Sequence, residues 1–134
     1  MNVIVDTNIL LRFTVGDDLA QAAIAEKIME TSTELVIPTQ VFCEYVWTLR
    51  SRYKQSLETI AEAIRAIVAT DRIVVNDDEV QAGLMMMDDG GDFADGVAAY
   101  AGSRMASGPA VFASFDRQAV KLLIGCGLSA MVPD

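Results

Sequence analysis

A chain of 134 residues that is 52% hydrophobic carries enough apolar material for one packed core, which excludes a disordered segment. Its formal charge of −9 argues against a simple nucleic-acid-binding module, whose phosphate partner favours a basic surface. No histidine is present, which removes Ser–His–Asp and Cys–His catalysis, histidine acid–base chemistry and zinc sites of the Cys/His type.

Short β-rich runs alternate with helical stretches. Val3-Ile4-Val5 reads as a first strand, Asp6-Thr7-Asn8 as a turn, and Ile9 to Phe13 as a helix. After Asp17-Asp18, the residues Leu19, Ala22, Ala23, Ile24, Ile28 and Met29 fall at helical spacing. Leu35-Val36-Ile37 is a second strand ended by Pro38, followed by helices over about 39–53 and 56–69, the latter capped by Ser56. Ile73-Val74-Val75 is a third strand, and a helix spans about 78–87, where Met85-Met86-Met87 fills gaps in a core. Asp88-Asp89-Gly90-Gly91 breaks the chain before a helix that Asp92 caps and that runs to about Ala106. A fourth strand over 110–114, a helix over 116–124 and a last strand over 130–132 complete the pattern.

Strands buried on both faces and separated by helices indicate one α/β domain over 1–134, with a mostly parallel sheet of about four to five strands. No apolar run approaches the roughly 18–20 residues that span a bilayer. The first residues lack the basic and apolar segments of a signal peptide, so the expected location is the cytoplasm, with Cys43 and Cys126 as reduced thiols.

Ligands of open parallel sheets bind beyond the carboxyl ends of the strands. Asp6 directly follows the first strand and Asp116 the fourth; each also reads as an ordinary loop or capping aspartate. Glu44 lies in Val41-Phe42-Cys43-Glu44-Tyr45-Val46-Trp47-Thr48-Leu49, a helix with no large polar face. The expectation is a buried helix and a buried carboxylate that needs a metal, a raised pKa or a cation such as Arg50 or Arg52. Asp95 shares a helix face with Ala98, Ala99 and Gly102, small residues that let a helix pack close to a sheet and hold Asp95 toward the strand ends. Asp92 is read as a cap, with contact to a metal's outer sphere as the alternative. If Asp6, Glu44, Asp95 and Asp116 converge, they stay ionised only around cations, and all-oxygen ligation selects Mg²⁺ or Mn²⁺. Such an ion also reconciles an acidic pocket with a phosphodiester substrate.

The segments Val5-Asp6-Thr7-Asn8-Ile9-Leu10, the Glu44 helix, Asp92-Phe93-Ala94-Asp95-Gly96-Val97-Ala98-Ala99 and Phe112-Ala113-Ser114-Phe115-Asp116-Arg117 together resemble PIN-domain ribonucleases of the VapC toxin type, in order and over essentially the whole chain. Gly96, where a larger residue is common, and Ser114, where threonine is more frequent, depart from the pattern without removing an acid. The resemblance implies a three-layer α/β/α fold and a Mg²⁺-dependent endoribonuclease. It further implies a homodimer inhibited by a cognate VapB-type antitoxin, with Thr7 and Ser114 orienting the acids. Arg12, Arg50 and Arg117 are candidate phosphate contacts, each also readable as a surface charge.

Two other readings stand beside it. A phospho-acceptor receiver domain also places aspartates at strand ends, but it wants an acidic pair after strand one and a lysine after the fifth strand, and here Lys121 falls in a helix. A catalytically silent interaction module would use Met85-Met86-Met87 and the aromatic-rich helix around Trp47 as an interface.

Overall fold

The opening apolar residues form β1 (Asn2–Ile4) in the computed structural model, which describes all residues from Met1 to Asp134. Two compact units divide the chain, Met1–Asn76 and Asp77–Asp134.

In the first unit β1 is followed by α1 (Thr7–Val15), α2 (Leu19–Thr31), β2 (Glu34–Val36), α3 (Thr39–Ser51), α4 (Leu57–Val68) and β3 (Ile73–Val74). The strands pair in the order β1-β2-β3, parallel throughout, with Val3 opposite Leu35 and Leu35 opposite Ile73. Parallel neighbours need crossovers, and the intervening helices supply them. The first two strands lie one residue earlier than the apolar runs suggest. Even so, Val5 N–H donates to the Val36 carbonyl (2.9 Å) and Ile37 N–H to that of Val74 (3.0 Å), so both residues still belong to the hydrogen-bonded layer. Val5, Leu35, Ile37, Leu10, Phe42, Tyr45, Leu49, Ile60 and Ile64 are buried and form the core.

Helix α1 starts at Thr7 rather than near Ile9, because Asp6 acts as its N-cap and accepts the Ile9 N–H at 3.0 Å. It ends at Gly16, whose φ of 68° a side-chain-bearing residue rarely adopts. Asp18 caps α2 through the Gln21 N–H, and Ser56 caps α4 through that of Thr59.

The second unit contains α5 (Asp77–Asp88), α6 (Phe93–Met105), β4 (Phe112–Ala113), α7 (Arg117–Gly125) and β5 (Ala130–Met131). β4 and β5 form a parallel pair with Phe112 opposite Ala130. The fourth strand is shorter than the apolar run 110–114 suggests. Its pairing begins at Phe112, whose N–H donates to the Ser129 carbonyl at 2.9 Å, and Ala110 and Val111 stay exposed. Met86, Ala99, Ala119 and Leu123 form the core, with Phe112, Leu122, Cys126, Leu128 and Ala130 packed against it. Met85 faces solvent, whereas Met86 and Met87 are buried.

Helices α5 and α6 approach closely at Gly96. A Cβ there would sit 2.5 Å from the Ala82 carbonyl oxygen and 2.9 Å from the Met86 Cβ, so only glycine fits. The expected α/β architecture is present: seven helices and five strands, parallel in every pair, with the pairing divided into a three-stranded and a two-stranded ladder. No helix is long and apolar enough to cross a membrane. Cys43 and Cys126 form no disulfide.

Candidate active site

In the first unit the end of β1 and the middle of α3 meet through side chains. The Thr7 hydroxyl donates to the Glu44 carboxylate at 2.9 Å. Asp6 is exposed, with one oxygen committed to capping α1. Glu44 is exposed rather than buried, which corrects the expectation drawn from its apolar surroundings. Gln40, Glu44, Trp47 and Ser51 recur at helical spacing and form one solvent-facing stripe of α3, while Val41, Phe42, Tyr45, Val46 and Leu49 face inward. The error lay in counting Trp47 as core: it is 70% exposed. Glu44 is therefore held by a hydroxyl and not by Arg50, whose guanidinium donates to the Gln55 carbonyl at 3.2 Å.

In the second unit Asp92 is an exposed residue that caps α6 through the Ala94 N–H (3.2 Å), in keeping with its reading as a cap. Asp95, in the first turn of α6, is half-buried, and its carboxyl is held above the usual range. Loss of hydration is the largest cause, followed by the negative charges of Asp92 and Asp116; every neighbour that moves it is an acid. Asp116 caps α7 through the Ala119 N–H (3.0 Å). Ser114 acts on the backbone of Asp116 rather than on its carboxylate, accepting the Asp116 N–H at 3.0 Å. The small-residue face of α6 is not sealed against a sheet: Ala98, Ala99 and Gly102 border a groove of about 270 Å³ with Ala110 to Ala113, Leu128 and Ser129. The close approach made by this helix runs through Gly96 instead.

The PIN domain family model matches residues 3–118, spanning both units. The chain belongs to the PIN domain family. No curated protein matches it. PIN domains are generally nucleases, so the coarse activity of the chain is hydrolytic cleavage of nucleic acid.

Carboxylate ligands suit a hard, oxygen-preferring divalent cation, and such a cation would offset the negative charge of Asp92 and Asp116 on Asp95. No three acidic or thiol side chains of this PIN domain gather into a ready metal cluster. Among the candidate phosphate contacts, Arg12 is the most tightly held. Its Nη1 pairs with Asp17 Oδ1 and its Nε donates to Gln21 Oε1, both at 2.8 Å. The Tyr53 hydroxyl donates to Asp17 Oδ2 at 3.0 Å. Arg117 is exposed at the start of α7. Asp17, Gln21 and Tyr53 went unnoticed in the sequence. The available signal was the doublet Asp17-Asp18, in which one acid caps α2 and the other is left to pair with an arginine of the preceding helix.

Proposed function

We propose that this PIN domain is an endoribonuclease dependent on Mg²⁺ or Mn²⁺ and the toxin of a VapC-type toxin–antitoxin pair in the cytoplasm. The observation that carries the reading is the PIN domain match over residues 3–118, to which the acidic surroundings of Asp95 add. Asp6 and Asp95 are the main metal ligands in this reading, and Glu44 and Asp116 complete the set or hold bound waters. The bound cation would supply a water of lowered pKa and stabilise charge on the phosphodiester. Thr7 fixes the Glu44 carboxylate through its hydroxyl, and Ser114 fixes the backbone from which Asp116 projects. Arg12, Arg50 and Arg117 supply positive charge toward the RNA backbone.

A homodimer and a basic VapB-type antitoxin segment that covers the acidic residues complete the proposal. The exposed indole of Trp47 on the Glu44 face favours a protein partner there, since aromatic side chains are enriched where partners bind. A catalytically silent PIN module would use the same surface, and calorimetric titration with Mg²⁺ and Mn²⁺ separates the two: a silent module takes up neither ion. Family membership leaves the receiver-domain reading without support. The direct test incubates the purified chain with RNA in Mn²⁺ and in excess EDTA, beside Asp6→Asn. Cleavage confined to the wild type with metal is expected. Full activity in EDTA, or in a folded Asp6→Asn protein, would remove the metal assignment.

A further inference from the structure

Helices α1 and α2 enclose a cleft of about 420 Å³ lined by Asp6, Asn8, Ile9, Arg12, Gln21 and Ile24. Its walls combine a cation, a carboxylate, two carboxamides and two isoleucines, of which Ile24 is 59% exposed with no core role. Arg12 is held by neighbouring side chains. Two of its five N–H donors are taken, one by Asp17 and one by Gln21, and Asp17 is steadied in turn by Tyr53. The donors of the planar fork that its partners leave open suit phosphate oxygens. The grip also orients Gln21. The Arg12 Nε–H can only donate, so the Gln21 carbonyl must face it and the Gln21 NH₂ is the end left free.

We propose that this cleft is a nucleotide subsite, in which Arg12 holds a phosphate, Ile9 and Ile24 flank a base, and the Gln21 NH₂ selects guanine or uracil by donating to guanine O6 or uracil O4, where adenine and cytosine carry an amino group. The assignment rests on the ribonuclease reading for its biological meaning, since Asp6 forms one wall and the bound nucleotide would adjoin the scissile bond. Asp17 and Tyr53 are positioning residues that act through Arg12.

The test does not need turnover. The isotope-labelled full chain in EDTA is titrated with each of the four ribonucleoside 5′-monophosphates while the backbone amides of Asn8, Ile9, Gln21 and Ile24 are followed by NMR. GMP and UMP should shift these amides together at millimolar concentrations and bind about fivefold to tenfold more tightly than AMP and CMP, the effect of one neutral hydrogen bond. Gln21→Ala, at an exposed site, should erase that preference. Arg12→Lys, which keeps the charge but loses the fork and the Nε–H that orients Gln21, should weaken all four and blunt the base preference, and Tyr53→Phe should weaken all four to a smaller degree with the preference intact. Absence of a concerted shift with any nucleotide, or equal binding of all four by the wild type, would reduce the Arg12 network to a clasp between two helices and overturn the subsite. A chain that cuts no RNA in Mn²⁺ yet binds keto nucleotides supports the subsite and removes the nuclease proposal. A chain that cuts RNA and binds none of the four does the reverse.

Discussion

The Thr7 hydroxyl reaches the Glu44 carboxylate across 2.9 Å, tying the first turn of α1 to the middle of α3 over 37 positions of sequence. Thr7→Val keeps the shape and removes the donor. Because the bond is solvent-exposed, its loss should cost less than about 1 kcal/mol in urea unfolding. Cleavage should suffer more, by about tenfold or beyond, because a carboxylate free to rotate leaves the geometry the reaction requires. Thr7→Ser should restore it. Equal activity of the valine and threonine forms would show that the bond serves neither Glu44 nor catalysis.

Exposure sets the consequences along α3. Glu44→Gln and Trp47→Ala should each change stability by no more than about 0.5 kcal/mol, since both side chains stand in solvent. Phe42→Ala, on the buried face of the same helix, should cost about 3–5 kcal/mol. Chemical denaturation of the three variants checks this contrast. A large loss in Trp47→Ala would mean that the indole is packed against something, a second copy of the chain being testable by sedimentation.

Two glycines of α6 should respond in opposite directions to the same substitution. Alanine is favoured over glycine in a helix by roughly 1 kcal/mol. At Gly102 nothing lies within 4 Å of the added Cβ, so Gly102→Ala should stabilise by about 0.5–1 kcal/mol. At Gly96 the added methyl meets the Ala82 carbonyl oxygen at 2.5 Å, and a backbone atom cannot step aside cheaply. Overpacking should outweigh the propensity gain, leaving Gly96→Ala destabilised by about 1–3 kcal/mol. Thermal melts of both variants test the sign. A stabilised Gly96→Ala would mean that α5 and α6 separate easily.

The elements that local chemistry punctuates were legible in advance. Ser56, Asp92 and Asp116 cap the helices they precede, and the alternation of strands and helices foretold parallel pairing. The depth of Glu44 was not legible. Hydrophobicity along α3 does not distinguish an inward Phe42 from an outward Trp47; the distinction depends on which face meets the rest of the unit. The Arg12–Asp17–Tyr53 network was hidden for a related reason. Tyr53 lies 36 positions beyond Asp17, and only the folded first unit brings the two together.

Asp95 connects stability to pH and to metal. Its carboxyl is held above the ordinary range, by desolvation first and then by Asp92 and Asp116, so the folded chain binds that proton more tightly than the unfolded chain does. The associated stability is complete below the ordinary carboxylate pKa and is lost as pH rises through the raised value. At pH 7 the ionised group is therefore a local cost that Asp95→Asn removes. The variant's Tm should exceed that of the wild type, by at most about 3 °C for a partly solvent-screened group, and the difference should vanish near about pH 4 and below. Mg²⁺ or Mn²⁺ should narrow the gap from the other side, since an ion that binds only the folded state stabilises the ionised carboxylate it contacts. Scans at both pH values with and without cation therefore test the ligand role: a cation that raises both melting temperatures equally would exclude Asp95 from the metal-binding set.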